Sequence, residues 1–349
     1  NAVPRAYDMQ KNIRQQRIMR QEHCNAALYE ERRSSTMKKK TKNTAALGSM
    51  LVITAGVFWG SMGIFVRALG KYGFDSIQIV ALRLTVAAAV FAALHLARER
   101  TALWIAARDI PLFLGLGLGS ILFFTVCYFS AINMMTLSAA AILLYTSPIW
   151  VMLMSCLFFK EKLTARKLAA LACAFGGCVL VSGISGGGVT ARGLIVGLCS
   201  GIGYGLYSIL GSVALKKYSS LTVTTYTFVI AALGAWLICD AADMMAKLAA
   251  ADGVWRLAGL TVLTGLITAV IPFAAYTRGL MYAEPSRAAI LATVEPMVAT
   301  ILGALVFAEP VTLMSGLGIV MILISVVMLN AKKAALRNTP AASGGKSAR

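Results

Sequence analysis

The sequence predicts an all-α integral membrane protein, with ten transmembrane helices in two inverted five-helix repeats. Three observations predict it. Ten apolar stretches approach the ~20 residues that a bilayer-spanning helix needs. Lys and Arg fall almost entirely in the two tails and in alternate connections. The second half of the chain repeats motifs of the first.

The apolar stretches are 48–69, 76–96, 110–130, 137–159, 166–184, 192–214, 220–239, 256–276, 285–307 and 311–330. The chain is 58% hydrophobic and 13% charged, about half the ~25% charged residues of a soluble domain. A soluble core of this size cannot hide that much apolar surface. The connections are short, so neighbouring spans are expected to be antiparallel.

The net charge of +19 is not spread over a folded surface, which argues against a nucleic-acid groove. With the N-terminus inside and ten spans alternating, 27 of the 33 Lys and Arg lie on the inner side. Arg67, Lys71, Arg192, Lys247 and Arg256 are left outside, and Arg83 falls within a span. The positive-inside rule therefore predicts an inner-membrane protein with both termini cytoplasmic. Residues 1–46 read as a basic cytoplasmic tail without a packed fold. Met37, followed by Lys38, Lys39 and Lys40, reads as the natural start. Residues 331–349 read as a cytoplasmic C-terminal tail.

Several classes of chemistry lack their motifs. The seven cysteines form no CxxC pair, and His23 and His95 join no ligand cluster, so no metal and no cofactor is expected. There is no Walker motif, so ATP is not expected as a direct energy source. A membrane-embedded enzyme on a lipid-linked substrate is the alternative of a different class. It would need a polar catalytic cluster, and the spans offer no HExxH, no paired Asp and no His with a Ser or Cys partner.

The repeat is clearest at an offset of 148. LSAAAILLYTSPIWVMLMSCLFFKEKLT (137–164) aligns without a gap on PSRAAILATVEPMVATILGALVFAEPVT (285–312), and ten of 28 positions are identical. Shared Ala and Leu reflect composition. The mid-span pair Pro148/Pro296 and the span-end pair Glu161/Glu309 do not. A weaker match joins GVFWGSMGI (56–64) to GIGYGLYSI (201–209). The expected domains are thus 48–184 and 192–330, five spans each. An odd span count puts the second copy into the membrane upside down, a design that transporters use for alternating access.

These residues carry a family resemblance. WGSMGIFVRAL in the first span, Arg83 in the second, SP at 147–148 followed by FFKEKLT, and EP at 295–296 followed by VFAEPVT resemble the EamA-type branch of the drug/metabolite transporter superfamily. The resemblance covers about residues 48–330. It implies ten spans in two five-helix halves, and export of amino acids, related metabolites or drugs. The second half departs from the first in having no Arg in its seventh span.

Glu295 is the acid placed deep in a span. An isolated carboxylate there costs several kcal/mol unless paired, hydrated or protonated, which points to a proton-coupling or substrate-amine site. The other reading is a carboxyl that braces the kink beside Pro296. Arg83 either holds a substrate carboxylate in the pathway or snorkels to the headgroups. Pro148 and Pro296 each remove a backbone donor, which is tolerated where protein or water meets the freed carbonyls. They mark a candidate binding region and gate, with Pro272 a weaker sign. Gly193, Gly197, Gly201 and Gly205 recur every four residues, as do Gly56 and Gly60, which reads as close helix packing. Trp59, Tyr145, Tyr204 and Tyr207 are the preferred candidate cavity walls, with Trp150, Phe124 and Tyr128 behind them. The expected partners are the lipid bilayer, a small-molecule substrate and, for a coupled carrier, protons. The expected activity is secondary transport, with an uncoupled facilitator of the same cargo as its close variant.

Overall fold

The computed structural model describes residues 44–98, 104–135, 137–183 and 190–330. Among the described residues ten helices are long and apolar enough to cross a bilayer. They are α1 (Thr44–Gly70), α2 (Ser76–Arg98), α3 (Ala107–Ile132), α4 (Ala139–Phe159), α5 (Ala165–Ser182), α6 (Ala191–Ala214), α7 (Ser220–Ile238), α8 (Val254–Leu280), α9 (Pro285–Phe307) and α10 (Leu313–Asn330). No strand occurs among the described residues. Lipid offers no partner to backbone N–H and C=O groups, so each span satisfies its own. Helix α1 begins at Thr44 and takes up residues 44–46 of the segment read as tail. The rest of that segment, Met37 included, and residues 331–349 lie outside the described residues.

The connection after α7 holds a short helix that hydrophobic length alone does not reveal, Ala241–Ala250. The Asp240 side chain caps it by accepting from the Asp243 N–H at 3.0 Å, and Met244 buries beneath it. Gln78, at the start of α2, donates to Asp243 Oδ2 at 2.6 Å and accepts from Lys247 Nζ at 3.2 Å. Lys247 also pairs with Asp243. The Lys247 ammonium, then the Gln78 amide, hold the Asp243 carboxyl below its ordinary range.

Two repeat-equivalent pairs, α2/α7 and α5/α10, lie side by side and run in opposite directions. Along α2 and α7, Trp236 Nε1 donates to Thr85 Oγ1 at 2.8 Å, and Thr225 Oγ1 donates to the Phe91 carbonyl at 3.2 Å. Along α5 and α10, Arg166 meets the Met328 carbonyl and Gly177 meets Gly318 backbone to backbone. Rising numbers on one helix therefore meet falling numbers on the other.

Helix α1 breaks at Ser61 and restarts at Met62, whereas its equivalent α6 is unbroken; the other local backbone irregularities recur near the repeat offset. The helix of α4 breaks at Tyr145–Thr146 and restarts at Ser147. That of α9 breaks at Thr293 and restarts at Val294. Pro148 and Pro296 thus sit in the first turn of a restarted helix, where the missing N–H needs no partner; the break lies before each proline rather than at it. The span ends match too. Lys160 and Ala308 both take the left-handed conformation, at φ 53° and 55°. The Glu161 and Glu309 N–H groups both donate at 3.3 Å, to the Ser155 and Gly303 carbonyls. Inside α3 and α8 lie π-helical segments, Gly115–Leu122 and Leu266–Val270.

The glycine faces explain how the halves join. A Cβ on Gly201 would meet Thr146 Oγ1 at 2.5 Å and the Leu143 carbonyl at 2.7 Å. One on Gly56 would meet Val294 at 2.5 Å and the Ala292 carbonyl at 3.0 Å. Gly60 stands likewise against the Glu295 carbonyl, and Gly205 against that of Ser147. Each half's first helix therefore grips the break in the other half's fourth helix.

Arg287 Nη2 donates to Ser49 Oγ and Asn330 Oδ1, both at 2.9 Å. These contacts bring the starts of α1 and α9 to the end of α10, and define the proximal end of the bundle. There Lys217 pairs with Asp109 at 2.8 Å. At the distal end Arg67 pairs with Glu309 at 2.6 Å.

Gly201→Val should cost about 1–3 kcal/mol, as overpacked sites do. Gly63→Ala should be neutral or slightly stabilising, because nothing lies within 4 Å of the added methyl. Thermal unfolding in detergent compares them, and equal midpoints would refute the close-approach account. Lys247→Met should lower the midpoint at neutral pH. A depressed carboxyl contributes stability above its unfolded pKa of ~3.9 and loses it as pH falls through the folded value. The gap to the parent should therefore shrink below that range.

Candidate functional site

A cavity of ≈ 580 Å³ enters the bundle from the distal end, lined from α1, α2, α3, α4, α5, α6, α8 and α9. Its mouth holds Arg67, Phe307 and Glu309. The Arg67 guanidinium lies 4.3 Å over the Phe307 ring while it pairs with Glu309.

Two groups of opposite charge face this space. Glu295 lies in the first turn of the restarted half of α9, where the helix dipole favours a carboxylate. The Tyr204 hydroxyl donates to its Oε2 at 3.0 Å. Arg83, from α2, is only 4% exposed. Its Nη1 approaches the Met62 sulfur at 2.8 Å, and its Nε is buried without a hydrogen-bond partner. Arg83 and Glu295 line one cavity without forming an ion pair. Direct pairing would have cancelled both charges. Their separation leaves each with unused capacity toward a solute, and a buried guanidinium with an unmet donor is costly.

The cavity floor is aromatic. Trp59 packs on Phe273 at 5.0 Å, on Tyr276 at 5.3 Å and on Tyr204 at 6.1 Å between ring centroids. Phe124 meets Tyr204 at 5.2 Å. Beyond the floor lies a second space of ≈ 20 Å³, enough for about one water. Trp59, Tyr204 and Phe273 line both spaces and so form the partition between them. Hydroxyl pairs bound the smaller space: Tyr207 with Thr277 at 2.6 Å, and Ser208 with Tyr276 at 2.7 Å.

The structure brings together at the large cavity Trp59, Gly60, Arg83, Tyr145, Tyr204, Glu295 and Pro296 from the residues singled out in the sequence, with Phe124 and Tyr128. Tyr207 lies beside the smaller space instead, 3% exposed. Pro148 lines neither. Gly56, Gly193, Gly197 and Gly201 lie against neighbouring helices; Gly193 and Gly197 meet Met135 and Leu143. Gly205 meets Val151 and borders the smaller space. Sequence reading missed Phe273 and Tyr276, which follow Pro272 in α8. Pro272 was the available sign, because it sits where the π-helical segment ends. It also missed the ion pair at the mouth, since each partner alone reads as an ordinary span-end charge.

Among the described residues no group of three or more metal-ligating side chains occurs. The arrangement can instead hold a solute between a cation, an anion and aromatic faces.

The chain is similar to several known proteins. A protein of Archaeoglobus fulgidus named as an uncharacterized transporter is 29% identical over 286 residues, 80% of this chain and 95% of that protein. The uncharacterized transporter YxxF of Bacillus subtilis is 25% identical, over 82% of this chain and 89% of its own length. A crystallised protein chain shares the fold at a TM-score of 0.66 and 19% identity, covering 80% of this chain and 95% of that one. The EamA-like transporter family matches twice, at residues 46–183 and 191–331. With both halves matched, the chain belongs to the EamA-like transporter family.

Proposed function

We propose that the protein is a secondary transporter that exports amino acids, related small metabolites or drugs across the inner membrane by alternating access, coupled to protons. One observation carries this reading: a cavity that reaches the distal end at Arg67 and Glu309, with an unpaired cation, a carboxylate and aromatic walls at its base. Arg83 receives the carboxylate of a zwitterionic solute. Glu295 receives its ammonium or, in its absence, a proton. Trp59, Tyr145 and Tyr204 receive its apolar part.

The halves form an inverted repeat on this reading. The antiparallel α2/α7 and α5/α10 pairs support it, as does the odd count of five spans per half. Alternating access then needs a closed end and an open end that exchange. The proximal end is cytoplasmic. Its connections carry Arg108, Lys160, Lys162, Lys216 and Lys217, as the positive-inside rule requires. The state described is outward-open.

The test is transport in inside-out vesicles of a mixed panel of amino acids and drugs, with and without a pH gradient. The parent should accumulate at least one solute when the gradient is imposed, and Glu295→Gln should abolish that accumulation. Equilibrative flux indifferent to the gradient would establish an uncoupled facilitator and leave Glu295 a structural carboxyl. Arg83→Gln should lower affinity for carboxylate-bearing solutes by about tenfold or more, the scale of one charge-assisted hydrogen bond. It should spare solutes that lack a carboxylate, and equal loss for both kinds would refute the assignment.

A further inference from the structure

The two ends of the bundle use the same carboxylate, once per repeat, in different company. Glu161 lies just past the end of α4 at the proximal end, and its equivalent Glu309 just past the end of α9 at the distal end. The Glu161 side chain is 8% exposed, that of Glu309 47%. Glu161 Oε2 receives Lys167 Nζ at 2.9 Å and the Ser286 hydroxyl from the other half. The same Lys167 ammonium reaches Glu284, also of the other half, at 2.6 Å. One cation thus lies between carboxylates of the two repeats, and Ser286 closes the clasp.

At the repeat offset the distal end lacks these charges. The counterpart of Lys167 is Ser315 and that of Glu284 is Thr136. Glu309 is instead held by Arg67, a half-exposed pair of the kind that contributes little. A second distal cluster, Gln78–Asp243–Lys247, joins α2 to the helix after α7, but it does not include Glu309, the counterpart of Glu161, whose ion pair is with Arg67. Glu161 Oε1 is buried without a partner. The clasp is therefore not satisfied at every atom, and that cost favours its release.

We infer that Lys167, by bridging Glu161 and Glu284, is the lock of the cytoplasmic gate, and that its absence from the distal end biases the resting protein toward the outward-open state. This rests on the alternating-access reading above. In a repeat protein with equal gates, the two orientations would differ little in free energy. A charge triad present at one end only breaks that balance. Copying the other repeat's residues into the gate should restore it.

The experiment follows Ala299→Cys, on the cavity wall, in right-side-out vesicles treated with a membrane-impermeant maleimide. Mass spectrometry reads the label at position 299, so the native cysteines do not count. This chain should label rapidly from outside. The swap Lys167→Ser/Glu284→Thr should slow labelling by about fivefold or more, the low end of ordinary conformational coupling. Lys167→Arg, which keeps the bridge, should label like the parent. An unchanged rate in the swap overturns the inference. Should the swap fail to fold, Ser315→Lys, which places the cation beside Glu309, should slow labelling likewise, and an unchanged rate there overturns it. Parent labelling only from the cytoplasmic side would overturn the assigned orientation, and equal labelling from both sides would overturn alternating access; either result removes the inference too. Only the unchanged rate in a parent labelled from outside strikes the lock alone.

Discussion

The constraint on which the rest of the structure depends is that lipid cannot hydrogen-bond the backbone. Every crossing segment must close its own hydrogen bonds, so each apolar stretch becomes a helix whatever its detailed sequence. The places where a span stops being a regular helix then become informative. Among the described residues they are few: the breaks at Ser61, Tyr145–Thr146 and Thr293, and the π-helical segments of α3 and α8. All but the one at Ser61 recur in both halves; α6, the equivalent of α1, is unbroken. Each lies where another helix or the cavity meets the loosened backbone. Gly201 and Gly205 lie on the α4 break, and Gly56 and Gly60 on the α9 break. The glycines let backbone approach backbone, and the breaks give that approach its shape.

The same constraint explains why so few polar groups define the site. A charge in a span is costly unless it is paired or hydrated, so most span positions carry none. Arg83 and Glu295 escape pairing with each other and border a cavity instead. Tyr204 holds the carboxylate from one side and packs its ring against Trp59 and Phe124 from the other. It thereby ties the charged part of the cavity to its aromatic floor.

Much of this architecture is legible in the amino-acid sequence. Hydropathy finds spans because the bilayer tests about twenty residues at a time, and the second copy reinforces the pattern through Pro148/Pro296 and Glu161/Glu309. Glu295 stands out because acids are rare at that depth. What is not legible depends on which way a helix faces. Tyr204 and Tyr207 are neighbours on α6, yet one borders the large cavity and the other is sealed by Thr277. An apolar helix in lipid has no polar face to betray its rotation, so periodicity cannot separate them. The helix Ala241–Ala250 escapes notice for a related reason: it is too short to span, and its structure rests on Asp240, Gln78 and Lys247 across a connection. The proximal clasp is hidden because Lys167 and Glu284 are far apart in sequence and ordinary at span ends.

The crossed grip of the glycine faces has a mechanical consequence. Helix α1 holds the break of α9, and α6 holds the break of α4, so neither broken helix is held by its own repeat's first helix alone. If α9 shifts, Glu295 moves with it, and α1 must follow or lose the Gly56 and Gly60 contacts. Trp59 lies next to Gly60 on that same helix and forms part of the partition between the two cavities. On the alternating-access proposal, a movement at the charged site would therefore reach the aromatic partition through these close backbone contacts. Side chains as small as alanine at these glycines would separate the helices and uncouple the two.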